Sequence, residues 1–541
     1  MPFPFVLPTT SAFSFSTTFV CPSHPSLLRN ASTYRGIVRD TLKRHKRLPP
    51  EAQAANLGLV VSSLRDYLPY LVTVVDGLAG KQNSPVLVIR IAAVEATSEA
   101  SPNAGTAPVT PLAIEWRATL TESRIPGKER PRIRVPSLNY ELAFALATLG
   151  HAYALQARAA LQPLYVVASV VPLGIEQRRA AITSATRNLL DAAAVFAYAG
   201  GSPAESLVAS SSLALLPPDI TPPVLRALSA LSIAEATLLA VLKDDPYPPA
   251  VAQNRNENDL EWMYKAPDIP KVRAHLFARL CLAAAGHAVQ AAAQAKAVTT
   301  AGYAYRLSST FIRYLEELQQ TSRAKACRFL AIDSDLGGQT GTALAWLHGA
   351  LQAMGAADIA GSVNGHGKAT LGDAAFTDRS HLRANLLSLF RKERSEKNED
   401  RRIKLGLDWG IDAGRLEEMR ILWMLHAKWT KQNDAINTQH VPPTGPLLAQ
   451  MPSGREIHVV KPLDPPALDR AVLDAMCLSP SPLDKLPYEA AEVAPARRRA
   501  SSSDDNLSVD GDGAPAQTDG STLIRGYNGT REEHGRRDLY Y

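Results

Sequence analysis

At 541 residues, 46% of them hydrophobic, the chain can bury a large core. A net charge of +6 is too weak for a nucleic-acid footprint unless the cations cluster. Cys21, Cys281, Cys327 and Cys477 lie far apart and form neither a CxxC pair nor a recognisable disulfide framework, which points to a reducing, intracellular compartment.

The first 20 residues are apolar and hydroxyl-rich but lack a basic leading segment and are broken by Pro2, Pro4 and Pro8, unlike a secretory signal. Alternation of Phe3, Phe5 and Leu7, and later of Phe13 and Phe15, predicts edge strands. Helical periodicity then covers 33–47 and 50–79. In the first of these, Arg35, Arg39, Lys43, Lys46 and Arg47 recur mostly at four-residue steps, so a helix gathers them on one side, and the only acid there is Asp40. Such a stripe serves as a solvated face, or as a contact for an anionic membrane surface or acidic partner. No aromatic residues interleave with it, which argues against nucleic acid.

Between 80 and 134 the pattern changes to short apolar runs at 86–92 and 112–120 around a Ser/Pro/Gly-rich stretch, predicting a small sheet. At 136–161 the apolar positions Leu138, Leu142, Leu146, Leu149 and Tyr153 return to three- and four-residue steps, alanines fill between them, and only Glu141 and Arg158 are charged. That is the pattern of a buried, closely packed helix. Further helices are predicted over 177–199, 222–243, 271–297, 300–333, 340–355, 380–404 and 411–437, giving a mostly α chain with a minor β element. No 34-residue repeat is present, so irregular helix pairs, rather than a regular solenoid, are expected to stack into a curved, grooved scaffold.

The longest uncharged apolar run, 159–175, contains Gln162, Pro163 and Pro172, which defeats a membrane-spanning helix of about 20 residues. Membrane association is therefore expected to be peripheral or through partners. From 467 onward, and strongly from 480, Ser, Asp, Gly and Pro dominate and too little apolar surface is available to offset ordering entropy. The expected division is a domain over 1–466 and a disordered tail over 467–541. Within that tail RRRAS places Ser501 behind arginines in the manner of a basophilic kinase substrate, a short pattern that also arises by chance.

Three segments carry a family likeness. Residues 136–161 (PSLNYELAFALATLGHAYALQARAAL) resemble the central signature helix of Bro-one domains. Residues 219–243 (DITPPVLRALSALSIAEATLLAVLK), with their Pro-rich entry and Ala-Glu-Ala run, match a second, and Asn433, Asp434, Ile436, Val441 and Pro442 resemble the family's exit from its last long helix into an extended return strand. Likeness to a fungal subgroup acting in ambient alkaline-pH signalling begins at PFVLPTTSAFSF (4–15), continues through RDTLKRHKRLPP (39–50) and covers roughly the first 470 residues.

The resemblance implies an elongated, curved domain of stacked helices whose groove receives the C-terminal amphipathic helix of an ESCRT-III filament subunit. It also implies a cytoplasmic adaptor recruited to cortical or endosomal membranes, upstream of proteolytic activation of the transcription factor PacC by a separate protease. Alignment with the family puts Ala240, Leu276 and Leu280 at the groove contacts, with Ala240 standing where a larger, often aromatic residue is expected. Leu276 and Leu280 share a helix face, so they either accept two anchors of a partner helix or face the core. A general endosomal sorting scaffold is the alternative within the family.

An enzyme of the helical core is the alternative outside it, but the residues for one are not assembled. NGHGKAT at 364–370 imitates a phosphate loop, yet Ser362 stands where the first glycine is needed and Ala369 replaces the magnesium-binding hydroxyl. The 12 histidines are scattered without HExxH spacing; His151, His287 and His348 sit in apolar helices, where hydrogen-bonded packing accounts for them. Cys281 and Cys327 lack a strand-to-helix elbow, and Asp333 with Asp335 fits a solvated helix end. No catalytic residue, metal or cofactor is expected.

Overall fold

A computed structural model describes residues 2–80, 92–93, 112–122, 130, 132–166, 174–201, 216–254, 271–300, 305–355, 401–403 and 409–477. The helices are α1 (Pro25–Arg47), α2 (Pro50–Leu78), α3 (Leu138–Tyr165), α4 (Ile175–Ala199), α5 (Pro222–Leu242), α6 (Tyr247–Asn254), α7 (Lys271–Thr300), α8 (Ser309–Leu336), α9 (Thr340–Ala353), α10 (Arg415–Gln432), α11 (Thr444–Ala449) and α12 (Arg470–Met476). Two short antiparallel pairs accompany them. β1 (Phe19–Val20) pairs with β2 (Ala92–Ala93), and β3 (Ile114–Arg117) with β4 (Arg132–Val135), Trp116 lying opposite Ile133.

Local chemistry explains several boundaries. Pro25, Pro50 and Pro222 open α1, α2 and α5, where a fixed φ suits the first turn and the missing N–H is not needed. Leu48 before Pro49 is held extended, which ends α1. Each long helix packs on the next in chain order from α1 to α5, and the series continues through α7, α8, α9 and α10. α3 forms the centre of the larger of two apolar clusters. Packing there is close: a Cβ on Gly150 would meet the Phe196 ring of α4 at 2.5 Å. The second cluster joins α6, the first half of α7, the second half of α8, α9 and α10.

Buried charges brace each cluster from within. Glu141 accepts from Arg35 Nε of α1 (2.9 Å), the Tyr67 hydroxyl of α2 (3.0 Å) and Trp116 Nε1 of β3. Asp219 accepts the Thr119 and Leu120 amides and the Thr121 hydroxyl, fixing the chain after β3 against the entry to α5. Arg328 of α8 bridges Asp245 and Glu418, each at 2.6 Å, and Lys325 joins Glu418 at 2.9 Å. Arg158 donates to the carbonyls of Pro2 (2.8 Å) and Trp409 (2.6 Å).

The N-terminal segment departs from the expected edge strands. Phe3, Phe5 and Leu7 are buried but lie outside any strand, and Phe15 opens a 3-10 turn. Pro2 and Pro4 lack ladder donors, and the Phe3 N–H is taken by Glu235. The segment meets β3 at an isolated Thr10–Trp116 bridge, where the Ser11 N–H donates to the Glu115 carbonyl and the Arg117 N–H to the Thr9 carbonyl. α1 starts well before 33. α8 starts at Ser309 rather than near 300, because Leu307 bridges Thr121 and the Ser308 N–H bonds Leu120.

Of the helix expected over 380–404 only 401–403 are described, and they are helical; of the strand expected over 86–92 only Ala92 is. The 364–370 motif and Ser501 lie outside the described residues. The expected boundary at 466 falls too early: α12 buries Leu473 and Met476 against α1, and the compact unit runs Met1–Ser479. Among the described residues two helical stretches, Pro222–Leu242 and Arg273–Thr299, are long and apolar enough to cross a membrane, with 72% and 56% of their most apolar windows buried within the fold.

Candidate functional site: the α5–α7 seam

α10 runs out into a π-type turn at Asn433–Asn437, and Thr438, at φ 46°, turns the chain back. Asn433 and Gln439 then clamp the returning segment: Asn433 Nδ2 donates to the Gln439 carbonyl, the Gln439 N–H to Asn433 Oδ1, and the Gly341 N–H of α9 to Gln439 Oε1. This is the extended return implied by the Asn433 to Pro442 motif.

Beyond α11 the segment lies along α7. The Arg455 N–H donates to the Arg279 carbonyl (3.0 Å), and Arg279 Nε donates to the Ser453 carbonyl (3.0 Å). Gly454 sits so close that a Cβ would meet the Ala283 nitrogen at 2.7 Å. Glu456 reaches His287 Nε2 at 3.5 Å, and His458 Nε2 lies 3.3 Å from the Ala236 carbonyl of α5.

Positions 276, 279, 280, 283 and 287 share one face of α7, so the segment covers the face expected to be open. Leu280 lies within that stretch, is 4% exposed and belongs to the same apolar cluster as Phe277, Cys281 and Phe329. It is a core residue rather than a free anchor. Leu276 packs on that cluster but stays half-exposed, as does Ala240 on α5. The remaining surface is narrower than the expected pair of leucines implied.

The basic stripe is also revised. Arg35 is 1% exposed and committed to Glu141, Thr10 and the Ser11 carbonyl, so it is no part of a surface. Arg39, Lys43, Lys46 and Arg47 stay on the accessible side of α1, with Arg39 bonded to Asp40 at 2.9 Å. Partial desolvation and the neighbouring charges of Arg39, Arg132 of β4 and Arg47 lower the Lys43 pKa, against the opposing charge of Asp40. Sequence spacing could not link position 132 to 43.

Other titratable groups are packed away. His151 lies fully buried and stacks on Phe5 at 4.5 Å; burial pushes its pKa down to about 3, and neither ring nitrogen has a hydrogen-bond partner among the described residues. Packing, rather than hydrogen bonding, explains it. His348 of α9 and His426 of α10 place their Nε2 atoms 3.0 Å apart, so one donates to the other, a pairing invisible to sequence spacing. Burial pushes the Cys281 and Cys327 thiols up to about 12, far from a nucleophilic thiolate at neutral pH. Among the described residues no three His, Cys, Asp or Glu side chains come together as metal ligands.

No protein-family model matches the chain. Three solved structures are similar in fold. An ALIX structure in complex with the SIVmac239 PYKEVTEDL late domain is 14% identical with a TM-score of 0.45, covering 86% of this chain and 49% of that one. The ALIX BRO1 CHMP4C complex is 14% identical with a TM-score of 0.43, covering 86% of this chain and 97% of that one. A structure addressing endosomal targeting by the Bro1 domain is 12% identical with a TM-score of 0.43, covering 88% of this chain and 95% of that one. Among curated proteins, the pH-response regulator protein palC of Emericella nidulans is 39% identical over 500 residues, 90% of this chain and 94% of that protein. Likeness of that extent makes the chain a member of the palC family of pH-response regulators.

Proposed function

We propose that the chain is a non-catalytic adaptor of the ambient alkaline-pH response, gripping an amphipathic helix of an ESCRT-III filament subunit at the α5–α7 seam. The observation that carries this is the match to the palC regulator along nearly the whole chain. The likeness of 136–161 and 219–243 to Bro-one segments supports the choice of occupant, because that family takes a helix in a groove.

Leu276 is the central apolar contact in this reading, with Ala240 beside it as a shallow floor where a larger side chain would narrow the seam. A small interface of this kind sits at the lower end of the size range, where micromolar affinity is expected and a few residues dominate. The adaptor is cytoplasmic, reaches cortical or endosomal membranes through its partner, and serves activation of PacC by a separate protease.

A pull-down from cells shifted to alkaline pH, comparing wild type with Leu276→Asp, tests the reading. Loss of the ESCRT-III subunit from the variant, with helicity unchanged by circular dichroism, is expected. Equal recovery by both proteins contradicts a role for this seam.

A further inference from the structure

Far from the α5–α7 seam in sequence, a cavity of about 280 Å³ opens where the end of α1, the start of α2 and the second half of α3 meet the N-terminal segment and Trp409. Its size is close to the lower limit of small-molecule sites, about 300 Å³. Leu57, Leu155 and Trp409 supply apolar walls, while His45, Lys46, Arg158, Gln53 and Gln162 supply polar ones, the two glutamines donating to the Leu48 and Ile403 carbonyls. None of the described lining residues is acidic.

Each polar member has a defined state. Arg158 is fixed by its bonds to the Pro2 and Trp409 carbonyls, with its guanidinium 4.3 Å over the Trp409 ring, so its charge is locked at the wall. Lys46 is exposed at the rim, on the same side of α1 as Arg39, Lys43 and Arg47. His45 is 6% exposed and its Nδ1 has no hydrogen-bond partner among the described residues. Burial lowers its pKa against an opposing interaction with the Asn56 side chain, so the ring is neutral at neutral pH and its Nδ1–H tautomer can donate to an oxygen. A buried polar atom left unpaired is unfavourable, and a ligand oxygen there would relieve it.

We propose that this cavity binds a small amphiphilic anion, its charged head against Lys46, Arg158 and His45 Nδ1 and its short apolar body against Leu57, Leu155 and Trp409. The same head-and-tail chemistry occurs in a free acyl acid and in an anionic membrane lipid, and the basic stripe continuing from Lys46 would meet the second as readily as the first.

Calorimetric titration of the full chain with octanoate, octyl phosphate and octanol tests this. Saturable binding of at least one of the two anions is expected, with octanol at least about tenfold weaker. Lys46→Gln should weaken that anion by about tenfold and leave octanol unchanged. Ala54→Trp, from an exposed rim position on α2, and Ala159→Leu, from the wall on α3, should each block binding, circular dichroism confirming that the variants fold.

Flotation with phosphatidylcholine vesicles, with and without phosphatidic acid, separates the sources. Capture that requires phosphatidic acid and is lost in Ala54→Trp identifies the lipid; soluble binding without capture identifies the free acid. Equal affinity for octanol and the anions, no saturable binding by the wild type, or unchanged binding in both plug variants overturns the proposal.

Discussion

Glu141 holds three elements through one carboxylate: Arg35 from α1, Tyr67 from α2 and Trp116 from β3 all donate to it inside the larger apolar cluster. Arg35→Ala would leave that carboxylate buried without its cation. A cost of about 3–5 kcal/mol is expected in urea unfolding, and wild-type stability in the variant would show that the pair is dispensable. Glu235 offers a second test. Burial pushes its carboxyl up to about 7, against the opposing hydrogen bonds from Tyr314 and the Phe3 N–H.

The folded protein therefore holds a proton that the unfolded chain releases between about pH 4.5 and about pH 7, so this group's contribution to stability falls as pH rises through that window and is level above it. Glu235→Gln keeps an Oε1 acceptor for both Phe3 (3.1 Å) and Tyr314 (2.7 Å) while removing the titration. Denaturation midpoints at about pH 5 and about pH 8 should then converge relative to wild type. An unchanged difference would mean that Glu235 does not titrate there.

Residue identity was partly legible in the sequence. Glu141 and Arg158 stood out as the only charges in α3, yet their partners lie 106 and 156 positions away, at Arg35 and Pro2, beyond any spacing rule. Arg35 was misleading because four-residue steps tie it to Arg39 and Lys43. A second pattern runs through the same helix: Leu28, Ala31, Arg35, Val38, Leu42 and His45 alternate three- and four-residue steps and are all buried. Only a buried carboxylate makes an arginine belong to that face, and the carboxylate is on another helix.

At the scale of elements, the long helices were readable because their apolar period persists over many turns, whereas α6, α11 and α12 are too short to carry one. The extended segments were harder. The N-terminal one alternates like a strand but is held by Glu235 and Arg158, and the path of the return segment over α7 is set by contacts with residues far away in sequence. Leu276 and Leu280 were correctly placed on one face, but a four-residue step cannot tell which of two leucines the returning chain will cover.

Gly454 is the close-approach point of that cover. Gly454→Ala should push the segment off Ala283 at a local cost of about 1–3 kcal/mol, so the Arg455 amide exchanges hydrogen faster while amides of α3 keep their protection. Equal protection of Arg455 in both proteins would show that the segment moves without loosening.

For the whole molecule, helices packed in chain order form two apolar clusters among the described residues, with buried ion pairs inside the second, and the half-exposed Leu276 and Ala240 lie where the proposed partner helix would meet that scaffold. Membership of the palC family gives that surface its context. The most direct measurement is titration of the full chain against a labelled C-terminal helix of an ESCRT-III filament subunit. Micromolar affinity is expected, weakened about tenfold or more by Leu276→Asp with helicity intact. No saturable binding by the wild type, or equal affinity in the variant, would contradict an adaptor that grips its partner at this seam.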